Sequence, residues 1–212
     1  MAEKKVLLVE GKDDEHVVKN ICGRFELGKI NSIAQTEGIE NLLTILPVKL
    51  LESDISVLGM VIDADTDLQA RWNSITLKLT EAGYLNVKEQ PDENGTILMP
   101  PSDSLLPKVG IWIMPNNKLS GMLEDFLQFL IPEKDVIYLH AKESIAALPE
   151  KRFSDAHASK VLMHTWLAWQ QEPGKPYGQA ITARYLDTDL PLGQTFASWL
   201  RNTFFDNVST ST

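Results

Sequence analysis

A single cysteine, Cys22, stands in 212 residues. One thiol closes no intramolecular disulfide and builds no cysteine-rich zinc centre. The four histidines, His16, His140, His157 and His164, include no pair at zinc-binding spacing. No apolar run approaches the eighteen or so residues of a membrane-spanning helix, and no secretory leader is evident. A reducing cytoplasm, with no membrane involvement, is the expected setting. Positive charge is also scarce, with 20 Lys and Arg against 29 Asp and Glu. The net charge of −9 and isoelectric point near 4.9 argue against a surface built for strong nonspecific binding of nucleic acid, which normally needs clustered Lys and Arg. They do not exclude chemistry on a phosphodiester, because a bound cation reverses the local charge. No internal repeat is present.

What is present begins with composition. Hydrophobic residues make up 43% of the chain and charged residues 23%, enough for a substantial core in one domain, or in one domain with a helical extension. Two short apolar runs end in carboxylates. The first is Val6-Leu7-Leu8-Val9-Glu10-Gly11-Lys12-Asp13-Asp14, the second Val61-Ile62-Asp63-Ala64-Asp65-Thr66-Asp67. Buried parallel strands read as near-continuous apolar runs, and open α/β sheets bind ligands beyond the carboxyl ends of such strands. Glu10, Asp63 and Asp65 are therefore expected to share one crevice. Carboxylates brought together repel each other unless a cation joins them, and hard oxygen ligands suit Mg²⁺.

The pair of runs resembles the Toprim domain, the catalytic module of topoisomerases, bacterial primases and several nucleases. Its first signature is an apolar strand ending in Glu-Gly with an acid three positions on, matched by Glu10, Gly11 and Asp14. Its second is a strand ending in Asp-x-Asp, matched by Asp63 and Asp65. A third stretch, Gly121-Met122-Leu123-Glu124-Asp125, is similar to a motif of small stand-alone Toprim proteins. Gly178-Gln179-Ala180-Ile181 and Phe196-x-x-Trp199-Leu200 continue that similarity toward the carboxyl end. The resemblance implies an α/β fold with a mostly parallel sheet flanked by helices. It implies Glu10 as general acid or base, and Asp63 and Asp65 as ligands of Mg²⁺ or Mn²⁺. Glu10, Asp14, Asp67 and Glu124 complete the candidate metal set. The implied activity is cation-dependent cleavage of phosphodiester bonds in nucleic acid. Topoisomerase work would need a nucleophilic tyrosine, and Tyr84, Tyr138, Tyr177 and Tyr185 lie in no such motif. The zinc-binding and polymerase parts of a primase are missing too.

Periodicity places the remaining elements. Strands are expected at Lys5–Val9, Ile30–Gln35, Ser56–Ile62 and Val109–Met114. The first helix, from about Asp13 to Phe25, carries a stripe of Val17, Val18, Ile21, Cys22 and Phe25. Asp13 and Glu15 at its start suit the helix dipole. A second starts near Gly38, with Ile39, Leu42, Leu43 and Leu46 on one face and Pro47 expected to kink or end it. A third presents Leu68, Trp72, Ile75 and Leu79 and stops at Gly83. Asn94-Gly95 between Val87–Glu89 and Thr96–Leu98 signals an inserted hairpin. A fourth helix turns Leu123, Phe126, Leu127 and Leu130 inward. The expected division is an α/β core over residues 1–131 and a helical extension over 132–212. In the extension, Val161, Leu162, Trp166 and Trp169 form an amphipathic stripe, and the tail Ser209–Thr212 is expected to be disordered.

Two other motif readings compete. Asp63-x-Asp65-x-Asp67 opens like a calcium-binding EF-hand loop, but Leu68 and Ser74 occupy the positions that need Gly and Glu. Val61 to Thr66 also resembles the first motif of haloacid-dehalogenase-type phosphatases, with Asp63 as nucleophile and Asp65 as general acid. Lys118 and Glu124-Asp125 would then supply the later lysine and acidic pair, and Glu10-Gly11 would have no role. A third possibility is non-catalytic: a domain that binds a metal or nucleotide and serves a protein partner or a second copy of itself.

Overall fold

The computed structural model describes residues 4–206; Ser209–Thr212 lie outside the described residues. Five strands form one sheet in the order β2-β1-β3-β5-β4. They are β1 (Lys4–Val9), β2 (Ser32–Gln35), β3 (Ile55–Asp63), β4 (Thr96–Leu98) and β5 (Lys108–Met114). The first four in that spatial order run parallel, and β4 closes the edge antiparallel to β5. Helices cover both faces, as the apolar runs require: neighbouring residues of a strand point to opposite sides.

On one face lie α2 (Ile39–Leu50) and α3 (Leu68–Glu81). Leu42, Leu46, Leu50, Trp72, Ile75 and Leu79 meet Val6, Leu8, Leu58, Met60 and Ile62 of the sheet. On the other lies α1 (Lys12–Arg24), whose Val17, Val18 and Ile21 meet Leu7, Val9 and Val61. The chain thus leaves β1 on one side of the sheet and returns to β3 on the other. That reversal opens a crevice between the carboxyl ends of β1 and β3, where α/β sheets place their ligands.

Beyond β5 come α4 (Leu123–Gln128), α5 (Val136–Ala146), α6 (Ala158–Ala168), α7 (Tyr177–Thr182) and α8 (Pro191–Phe204). These helices share a hydrophobic cluster with α1 and the sheet. Two glycines explain how α8 comes so close. Gly59 of β3 pairs with Gly110 of β5. A Cβ on Gly59 would lie 2.3 Å from Phe204, and one on Gly110 would lie 2.4 Å from Thr203. The missing side chains form a groove in the sheet that receives the helix. Trp112 then packs edge-on against Phe196 at 4.9 Å between centroids, with Trp199 at 5.8 Å.

Three local expectations change. Val87–Glu89 forms no strand; β4 takes β5 as its antiparallel partner instead, and Gly95, with φ of 86°, turns the chain into it. Asn-Gly marks a turn faithfully but does not choose the strands that pair across it. Pro47 does not end α2, which continues to Leu50. Leu50 is fully buried beside Leu46, and burial of a leucine, roughly 1.5–3 kcal/mol, offsets the hydrogen bond that proline forfeits. Trp169 caps the end of α6 and is 43% exposed, whereas Trp166 is buried. Among the described residues, no helix is long and apolar enough to cross a membrane.

Candidate functional site

Strand β1 delivers Glu10 and β3 delivers Asp63 to the crevice. They are joined directly: the Asp63 backbone N–H donates to Glu10 Oε1 at 2.8 Å. The Asp63 Oδ1 atom is buried and has no hydrogen-bond partner among the described residues. An ionised oxygen left so is costly. Burial, followed by the negative charges of Asp14, Glu10, Glu124 and Asp65, pushes the Asp63 carboxyl up to about 9. Glu10 is also raised, chiefly by burial, although the hydrogen bond from Asp63 and the charge of Arg71 oppose the shift.

Asp14 enters from the first turn of α1. Its Oδ2 accepts the Gly11 N–H at 3.0 Å, closing the turn that joins strand to helix. Burial and the neighbouring charges of Glu10 and Glu124 raise it to about 7. Glu124, 6% exposed, arrives from the first turn of α4. Tyr177 donates its hydroxyl to Glu124 Oε1 at 3.3 Å, and Lys160 Nζ stands 3.9 Å from the same oxygen. His164 Nε2 lies 3.4 Å from the Tyr177 hydroxyl.

The three aspartates after β3 have separate fates. Asp63 faces the other acids. Asp65 adopts φ of 53°, a left-handed conformation that aspartate tolerates better than most residues. Its N–H donates to Gly121 O at 2.9 Å, while its carboxylate pairs with Arg71 of α3. Asp67 caps α3, accepting from the Ala70 N–H at 2.9 Å. Glu10, Asp14, Asp63 and Glu124 are thus gathered, Asp65 stands beside them turned to Arg71, and Asp67 serves its own helix. Among the described residues, no three Asp, Glu, His or Cys side chains form a ready-made metal-holding group. Lys118, the lysine that a phosphatase reading would use, is paired with Glu93.

Arg71, Tyr177, Lys160 and His164 were not singled out from sequence as site residues. Arg71 follows the Asp-x-Asp run by less than two helical turns, a usable signal. Tyr177 directly precedes the Gly178 motif, and Gly178 packs so tightly on α1 that a Cβ there would lie 2.6 Å from Asn20. Nothing local marks Lys160 or His164.

The chain matches, over residues 4–205, the family described as Protein of unknown function (DUF3226), and it belongs to that family. Comparison with curated proteins and with solved structures finds no match.

Proposed function

We propose that this protein is a Toprim-like phosphodiesterase, nuclease-like in action, that works on nucleic acid with Mg²⁺ or Mn²⁺. The observation that carries this reading is Asp63 Oδ1, buried without a partner and faced by Glu10, Asp14 and Glu124. A donor set of carboxylate oxygens beside an unmet lone pair fits a hard divalent cation. Asp63, Asp65, Glu124 and Glu10 are the residues that would hold it; Asp14 supports them while closing the turn of α1. When bound, such a cation supplies neutralisation of phosphate charge. Glu10 keeps Oε2 free of the hydrogen bond made by Oε1, so this oxygen carries a proton to or from the reacting group. The acidic surface implies low intrinsic affinity for nucleic acid, and a protein partner would bring the substrate. The lone, partly buried Cys22 suits a reducing cytoplasm.

The test is titration calorimetry with Mg²⁺ and Mn²⁺ beside cleavage of single- and double-stranded DNA and RNA. Weak cation-dependent cleavage is expected, inhibited by chelator and lost together with cation binding in Asp63→Ala. Cys22→Ser, the control, should keep the cation. No binding at millimolar cation would end the proposal. Normal binding without cleavage of any substrate would favour the metal- or nucleotide-binding partner protein instead.

A further inference from the structure

Arg71 is badly placed for a residue of purely structural purpose. It sits in the first turn of α3, where the helix dipole disfavours positive charge. Its Nε is buried and has no hydrogen-bond partner among the described residues, a further cost. Only 13% of the side chain is exposed. What holds it is acid: it pairs with Asp65, and its charge also acts on Glu10. Asp65 in turn has little freedom. Its backbone is tied to Gly121 across an isolated bridge, so a change of partner is a rotation of its side chain alone.

We propose that Arg71 is an internal counter-cation, latched on Asp65, which a divalent cation displaces and so frees to grip a phosphate of the substrate. This rests on the cation site proposed above and adds an order of events to it. Without a divalent cation, the guanidinium neutralises part of the acidic crevice. If Asp65 turned away to help hold a cation, Arg71 would lose its partner in a place already lacking one for Nε. A guanidinium offers a planar fork that matches two phosphate oxygens, so the released group has a ligand in a phosphodiester. The cation therefore binds before the substrate, and Arg71 couples the two.

The experiment is Mn²⁺ titration calorimetry on the full chain, comparing wild type, Arg71→Ala, Arg71→Lys and the same changes in an Asp65→Asn background. Removing the latch should tighten Mn²⁺ binding roughly three- to tenfold in Arg71→Ala. Arg71→Lys keeps the charge without the fork and should gain roughly twofold. It also serves if the alanine variant melts early. Neither gain should survive in Asp65→Asn. Unchanged or weaker binding in the Arg71 variants, with wild type still binding, overturns this proposal and leaves the cation site standing. An equal gain in Asp65→Asn also overturns it, because the effect would then be charge removal at a distance. If neither wild type nor Arg71→Ala takes up Mn²⁺, the cation site itself fails. In cleavage, Arg71→Ala should raise KM more than it lowers kcat; a fall in kcat at constant KM would remove the phosphate grip.

Discussion

Two turns in this molecule are built alike and do different things. At Gly11 and at Met122 the chain enters a helix, and in each case the N–H at the helix boundary donates to an aspartate three residues on. Gly11 reaches Asp14 at 3.0 Å, and Met122 reaches Asp125 at 2.9 Å. Beyond that bond they diverge. In the first turn the capping acid itself faces the crevice and is raised to about 7, while its neighbour Asp13 is exposed. In the second the neighbour Glu124 is buried toward the crevice, while the capping Asp125 is satisfied by Ser159 and Gln128. The same local hydrogen bond thus presents a different acid to the site each time. The cap sets the backbone, and the packing of each helix decides which side chain faces inward.

The hardest test of that contrast is Glu10, for which the second turn has only Gly121. Glu10→Gln should lower cleavage at least roughly a hundredfold, the low end for losing a general acid or base, with the thermal melt little changed. Asp125→Asn should leave cleavage near wild type. A silent Glu10→Gln together with a covalent phosphoryl group trapped on Asp63 would establish the dehalogenase-type phosphatase instead.

A smaller effect concerns protons. In the unfolded chain Asp63 ionises near 3.8; in the folded protein it does so near 9. Between those values the folded state holds the extra proton, so stability falls as pH rises from about 4 to about 9. Asp14 adds to that fall between 3.8 and about 7. In chelator, the melting temperature followed by circular dichroism should drop between pH 5 and pH 9. The loss should be at least about 1 kcal/mol, or roughly 2 °C. Asp63→Asn, or saturating Mn²⁺, should flatten the slope. A melting temperature that climbs from pH 6 to pH 9 would show that the crevice acids are not held neutral by their surroundings.

The smallest effect sharpens the comparison itself. Asp125→Ala should cost about 1 kcal/mol, the ordinary loss of a cap, in chemical denaturation at pH 8, with Mn²⁺ affinity unchanged. Asp14→Ala should cost less, because it removes a repelled carboxylate along with the cap. It should also weaken Mn²⁺ binding roughly threefold or more. Equal effects of the two changes on Mn²⁺ would erase the distinction between the turns.

The parallel sheet and its first helices were legible because their signals are local. Leu42, Leu46, Trp72, Ile75 and Leu79 repeat at the helical period, and the apolar runs ending at Glu10 and Asp63 read directly as strand ends. Asp63, Asp65 and Asp67 look equivalent along the chain, yet only three-dimensional packing gives them a crevice, an arginine and a helix cap. The Tyr177–Glu124 bond joins residues far apart in sequence, and no periodicity predicts such a partner. The Val87–Glu89 strand failed for the same reason: Thr96–Leu98 found the exposed edge of β5, a choice made by the sheet.

The glycine pair under α8 bears on the order in which the protein can be made. Synthesis completes all five strands long before it reaches Phe196, Trp199 and Phe204. Until those rings emerge, the groove at Gly59 and Gly110 is open and Trp112 lacks its covering. An uncovered aromatic face of this kind is sticky, the sort of surface chaperones and aggregation both exploit. A chain cut before α8 therefore lacks the cover for this face of the sheet.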